Sequence, residues 1–95
     1  MLPKNRPPSH PGEILWAEFL DPKGITQQAL ADELEVPIQR INTLVNGKRG
    51  VTPETAILLA RFFQTTPQFW MNLQANHDLA QVDESKVAAV AKRVA

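Results

Sequence analysis

The sequence predicts an all-α domain with a helix-turn-helix at its centre, and three observations carry that prediction. Apolar residues recur at helical spacing along most of the chain, threonine and proline stand at the starts of successive apolar stripes, and Ile25 to Gly50 divides into two short amphipathic segments joined by a tight turn. The 95 residues allow one domain with one modest core, and 43% hydrophobic residues is ordinary for a soluble globular chain. The expected organisation is a flexible basic arm over 1–8, a helix-turn-helix domain over 9–82 and a C-terminal helical segment over 83–95.

Prolines 3, 7 and 8 with Lys4 and Arg6 give the arm an extended, poorly ordered character. A first helix is expected from about Pro11 to Leu20, burying Leu15, Phe19 and parts of Ile14 and Trp16, with Asp21-Pro22-Lys23-Gly24 as its stop. The second starts at Thr26, whose hydroxyl suits an N-cap, and turns Leu30, Ala31 and Leu34 inward. Ala31 is small where a neighbouring helix must cross closely. The third begins at Pro37 as a first-position proline. At about 100° per residue its apolar side holds Pro37, Ile38, Ile41, Leu44 and Val45, and its polar side Gln39, Asn42, Thr43 and Asn46, flanked by Arg40.

Two matching start signals follow, Thr52-Pro53-Glu54-Thr55 and Thr66-Pro67-Gln68-Phe69. The fourth helix should bury Ala56, Ile57, Leu59, Ala60 and Phe63, and the fifth Phe69, Trp70, Leu73 and His77 or Leu79. The expectation is five packed helices. A short extension, Ser85 to Val94, spaces Val87, Val90, Ala91 and Val94 helically with Lys86, Lys92 and Arg93 outside. It can cover the core, pair with another subunit or fray.

The polar side of the third helix offers amide, guanidinium and hydroxyl groups that suit base edges and phosphates. A solvated outer face is the plain alternative, and charge location tips the balance. The chain is neutral overall, with ten bases and ten acids, yet residues 36–61 carry Arg40, Lys48, Arg49 and Arg61 against Glu54 alone. From Glu13 to Glu35 the pattern reverses, with six acids (Glu13, Glu18, Asp21, Asp32, Glu33, Glu35) and one base, Lys23. A basic patch around the third helix suits phosphates, and the acidic side suits a basic partner.

Catalytic chemistry finds little support. His10 and His77 stand in no metal-binding pattern, the four glycines form no phosphate loop, and the pairs Asp32-Glu33 and Asp83-Glu84 diverge on a helix. No enzyme activity, metal or cofactor is expected. The aromatic set Phe62, Phe63, Phe69 and Trp70 fits core packing better than base stacking. Absent cysteine, a signal-peptide core and a long apolar run, the expected location is cytoplasmic, with no membrane partner.

A longer series of motifs then becomes recognisable. It runs through Ser9-His10-Pro11-Gly12-Glu13, Thr26-Gln27, Leu30-Ala31, Asn46-Gly47-Lys48-Arg49 and Val51-Thr52-Pro53-Glu54-Thr55-Ala56, then Thr65-Thr66-Pro67, Phe69-Trp70, Asn72-Leu73-Gln74 and Asp78-Leu79. Across residues 9 to 80 the chain resembles the Cro/repressor (XRE) helix-turn-helix proteins, and within them the HigA antitoxins of HigB–HigA toxin–antitoxin modules. The resemblance implies a homodimeric repressor on a palindromic operator in double-stranded DNA, which also neutralises a RelE-like HigB toxin. Carried over by position, Gln27, Asn46, Lys48 and Arg49 are phosphate candidates. Gln39, Arg40, Asn42 and Thr43 are base-reading candidates. Two alternatives stay open: a stand-alone transcriptional regulator without a toxin, and a module whose residues 39–46 bind protein. This sequence departs from the pattern at Glu35, where relatives often carry glycine, so an altered turn is expected there. Ile38 and Thr43 also differ from base-reading residues in some relatives, so the operator sequence does not carry over.

Overall fold

The structure, a computed structural model, describes residues 8–94, so the basic arm expected over 1–8 lies outside the described residues except for Pro8. The described residues form six helices and no strand, one helix more than the expected five, because the C-terminal extension is itself a full helix. Helix α1 covers residues 11–23. It is followed by α2 (Gln27–Leu34), α3 (Ile38–Val45), α4 (Pro53–Phe63), α5 (Pro67–Ala80) and α6 (Glu84–Val94).

Helix α1 continues past the expected stop at Asp21-Pro22. Pro22 has no N–H, and in a regular α-helix its ring would press on the Glu18 carbonyl. Leu15–Leu20 instead widens into a π-helix, in which the Asp21 N–H reaches the Trp16 carbonyl five residues back. That winding brings Leu15 and Leu20 to one face, and both are fully buried. Trp16, expected to be partly covered, is so, at 44% exposure. Gly24 ends the helix at φ 65°, with its N–H on the Asp21 carbonyl at 3.2 Å.

Thr26 caps α2 through Oγ1, which accepts from the Ala29 N–H at 3.0 Å. Leu30, Ala31 and Leu34 are buried as expected. The turn after α2 is not altered: Glu35 takes the left-handed conformation itself (φ 56°, ψ 45°). The Val36 N–H bonds the Ala31 carbonyl at 3.0 Å there, offsetting a cost of about 1–2 kcal/mol for a side chain in that region. Pro37 is the N-cap of α3 rather than its first residue, with ψ 144°. Its fixed φ suits either position, so the ring alone does not choose between them. Ile41 and Leu44 are buried, Ile38 and Val45 pack against the core, and Gln39, Asn42 and Asn46 stay exposed.

Helices α4 and α5 begin as their Thr-Pro signals predict, with Thr52 and Thr66 accepting from Thr55 N and Phe69 N. The α4 stripe is Thr55, Ala56, Leu59, Ala60 and Phe63. Ile57 falls off that stripe and is exposed, contrary to expectation. Phe63 and Trp70 pack with Phe19 at ring separations of 4.9 and 5.0 Å, and the Trp70 indole N–H donates to Thr65 Oγ1 at 2.8 Å. Phe62 lies off the buried stripe of α4, and Phe69, expected to be buried, reaches the surface because Trp70 is the residue α5 turns fully inside. Leu79, an alternative core residue in the sequence reading, is exposed because the end of α5 runs beyond the core. All described α6 side chains are exposed, and those of Ala91, Lys92, Arg93 and Val94 lie outside the described residues.

Of the four glycines, Gly12 has the tightest seat, and it joins α1 to α3. Gly12 is buried against the C-terminal end of α3, where a Cβ would overlap the Leu44 carbonyl oxygen and approach its carbon to 2.6 Å and Val45 Cα to 3.0 Å. Both sides are backbone, so neither can yield cheaply. Gly12→Ala is expected to lower stability by roughly 1–3 kcal/mol or more in urea denaturation. Gly24→Ala, with no atom within 4 Å of the added carbon, should lose only the backbone preference of about 1 kcal/mol. Equal effects at the two sites would contradict the seat.

Candidate nucleic-acid interface

The exposed side of α3 and the residues after it form one surface. Gln39, Arg40, Thr43 and Arg49 meet around a shallow groove floored by Pro37. Arg40 and Arg49 also border an adjoining groove completed by Thr52, Pro53, Glu54 and Thr55 at the start of α4. Four of the eight candidate residues are thereby gathered. Asn42 and Asn46 are exposed on α3 and at its C-cap, Lys48 is exposed in the following loop, and Gln27 is half-buried at the start of α2; none of these four lines the two grooves.

The side chains differ in how firmly they are held. Thr43 Oγ1 donates to the Gln39 carbonyl at 2.7 Å, so its single proton is engaged and its free lone pair is an acceptor. Arg40 Nη1 lies 3.3 Å from Glu54 Oε1, an ion pair that periodicity within α3 does not reveal because the partner is on α4. The low side-chain exposure of Arg40, 32%, against 74% for Glu54, shows that its stem lies along the protein surface.

The loop carrying Lys48 and Arg49 is anchored from three directions. Its own helix holds it, because the N–H groups of Lys48 and Arg49 both donate to the Thr43 carbonyl, at 2.9 and 3.1 Å. From α5, Gln74 Oε1 accepts from the Val51 N–H at 2.7 Å, and the same amide packs so closely on Gly50 that a Cβ there would have to displace it. From the start of α1, the His10 ring lies against Gly47. Lys48 and Arg49 thus sit on a fixed segment.

His10 serves α1 as well, since its Nδ1 accepts from the Gly12 N–H at 2.9 Å as the N-cap. Its ring meets His77 edge-on at 4.9 Å, and His77 Nδ1 lies 3.4 Å from the Pro8 carbonyl. Burial and the His77 charge hold the His10 pKa below the usual 6.5, against opposing contributions from Asp78, the Arg49 backbone and Glu13. Among the described residues no cluster of three or more His, Asp or Glu could hold a metal ion, and no helix is long and apolar enough to cross a membrane.

Residues 17–70 match the helix-turn-helix family model HTH_3. Virulence-associated protein I of Dichelobacter nodosus is 44% identical, over 87% of this chain and 78% of its own. Escherichia coli K12 has a similar protein, named an uncharacterized HTH-type transcriptional regulator, YbaQ, at 40% identity over 90% of this chain and 75% of its own. Among solved structures, the Pseudomonas aeruginosa antitoxin HigA with the higBA promoter aligns at a TM-score of 0.75 and 44% identity, covering 92% of this chain and 90% of that one.

The His10 environment predicts a pH dependence. With a folded pKa below the unfolded one, the unfolded chain binds more protons as pH falls. The contribution of His10 to stability is therefore complete above pH about 6.5 and is lost as pH drops through the lowered folded value. Thermal melting between pH 7.5 and 5 should show this loss, and His10→Asn, which keeps a capping acceptor but does not titrate, should flatten it. An equally steep decline in the variant would assign the effect to other groups.

Proposed function

The chain belongs to the XRE-type helix-turn-helix family, and we propose that it is a sequence-specific DNA-binding antitoxin that represses its own operon and neutralises a small HigB-like toxin. The observation that carries the DNA reading is the convergence of Gln39, Arg40, Thr43 and Arg49 on one groove, on a helix and loop braced from behind. The P. aeruginosa relative solved with its promoter supports it.

In this reading α3 enters the major groove. Arg40 offers a fork matched to guanine O6 and N7, and Gln39 and Asn42 offer paired donor and acceptor groups for adenine. Thr43, its proton committed to the Gln39 carbonyl, accepts from a base amino group or packs its methyl on thymine. Gln27, Asn46, Lys48 and Arg49 set the register on phosphates. One α3 covers a half-site, so the operator-bound species is a homodimer with two α3 helices about 34–36 Å apart. Leu79, Val82, Val87 and Val90, all at least half exposed, supply an apolar surface for that pairing. The acids Glu13, Glu18, Asp21, Asp32, Glu33 and Glu35 are exposed on α1 and α2, leaving a face for a basic toxin separate from the reading groove.

A second reading, a regulator of transcription without a toxin, is favoured by the E. coli relative, whose name records a transcriptional regulator alone. Both readings share the DNA residues. Gln39→Ala and Arg40→Ala should each weaken operator binding by about 1–3 kcal/mol at fixed salt while the chain stays folded, with stability lowered by no more than about 1 kcal/mol. Binding unaffected by either change would remove both from the interface.

Co-expression with the product of the neighbouring gene separates the two readings. An antitoxin restores growth and co-purifies with that product, and Arg40→Ala still restores growth because neutralisation does not need the reading groove. If neither wild type nor variant rescues or co-purifies, the antitoxin half fails and the stand-alone regulator replaces it.

A further inference from the structure

We infer that Glu54 determines DNA specificity by positioning Arg40, an assignment that rests on the proposed role of Arg40 in reading a base. Glu54 is the one acid among residues 36–61, and it lies in the groove shared with Arg40 and Arg49. A carboxylate facing a polyanion weakens binding, so its presence on this surface needs a compensating effect. Its place in the first turn of α4 favours an acid through the helix dipole. That does not account for its reach across to α3, where Oε1 meets Arg40 Nη1 at 3.3 Å.

The pair acts on Arg40 in two ways. An arginine side chain has many rotamers, and an anchored Nη1 restricts them before DNA arrives. The guanidinium has five N–H donors, so one engaged nitrogen leaves the rest of the fork for guanine. The carboxylate also opposes the approach of phosphate to the same cation, so capture of Arg40 by the backbone of any duplex is disfavoured. Glu54 therefore exchanges general affinity for discrimination.

The test uses a duplex selected by the wild-type chain from a random library and a scrambled duplex of equal length and composition. Affinities for both are measured at fixed salt for wild type, Glu54→Gln, Arg40→Ala and the double variant, with melting curves to verify folding. Glu54→Gln should tighten binding to the scrambled duplex and lower the selected-to-scrambled affinity ratio about two- to fivefold, the scale of an exposed ion pair. Arg40→Ala should lower the ratio further, and adding Glu54→Gln to it should change nothing more. A ratio lowered by Arg40→Ala but untouched by Glu54→Gln overturns the inference alone. So does a Glu54→Gln effect on the ratio that persists in the Arg40→Ala background, because Glu54 then sets discrimination by another route. A ratio untouched by Arg40→Ala overturns the reading of Arg40 and this inference together.

Discussion

The approach of Gly12 to the Leu44 carbonyl is the contact on which the rest of the arrangement depends. Helix α1 can reach the end of α3 only because position 12 has no side chain. Once seated there, the N-terminal residues of α1 come into register with the loop that follows α3. His10 then caps α1 and lies against Gly47 with the same ring. A backbone-to-backbone seat has little tolerance, since neither partner can change rotamer to relieve a clash. The orientation of α3 is thereby fixed from the side opposite its polar face.

Rigidity and freedom are divided across the molecule accordingly. The backbone under the candidate interface is tied by the Thr43 carbonyl and by Gln74, while of the side chains on it Thr43 is held by its own helix and Arg40 by one exposed ion pair. An exposed ion pair such as Arg40–Glu54 is worth at most about 1 kcal/mol, enough to bias a rotamer and small enough for a base edge to displace. The bare apolar residues of α6 and the end of α5 stand apart from this surface, so pairing of two copies there would leave the grooves open.

Much of this was legible in the sequence wherever a local rule decides the outcome. Thr26, Thr52 and Thr66 cap the helices they were expected to cap, because capping depends on a hydroxyl and the next three residues. Ala31, Ile41 and Leu44 are buried because helical periodicity alone places them. What escaped depends on distant or competing terms. Pro22 reads as a stop, yet burial of Leu20 favours a widened helix that accommodates the ring. Glu35 reads as an obstacle to a left-handed turn, yet the closing bond from Val36 keeps that turn. Ile57 and Leu79 are apolar but lie where the described residues leave them uncovered. The pairing of Arg40 with Glu54, fourteen residues on, and of His10 with His77 across the fold has no signature in any local window.

The direct test of the central claim, that α3 reads the major groove as one of a pair, is methylation interference on a duplex selected by the protein. Guanine N7 lies in the major groove, so a methyl group there obstructs a helix seated in it while leaving the minor groove and phosphates accessible. The expected result is interference at guanines in two segments about one helical turn apart, with both segments losing sensitivity in Arg40→Ala. Binding indifferent to N7 methylation, or sensitive in one segment only, would contradict a paired reading helix.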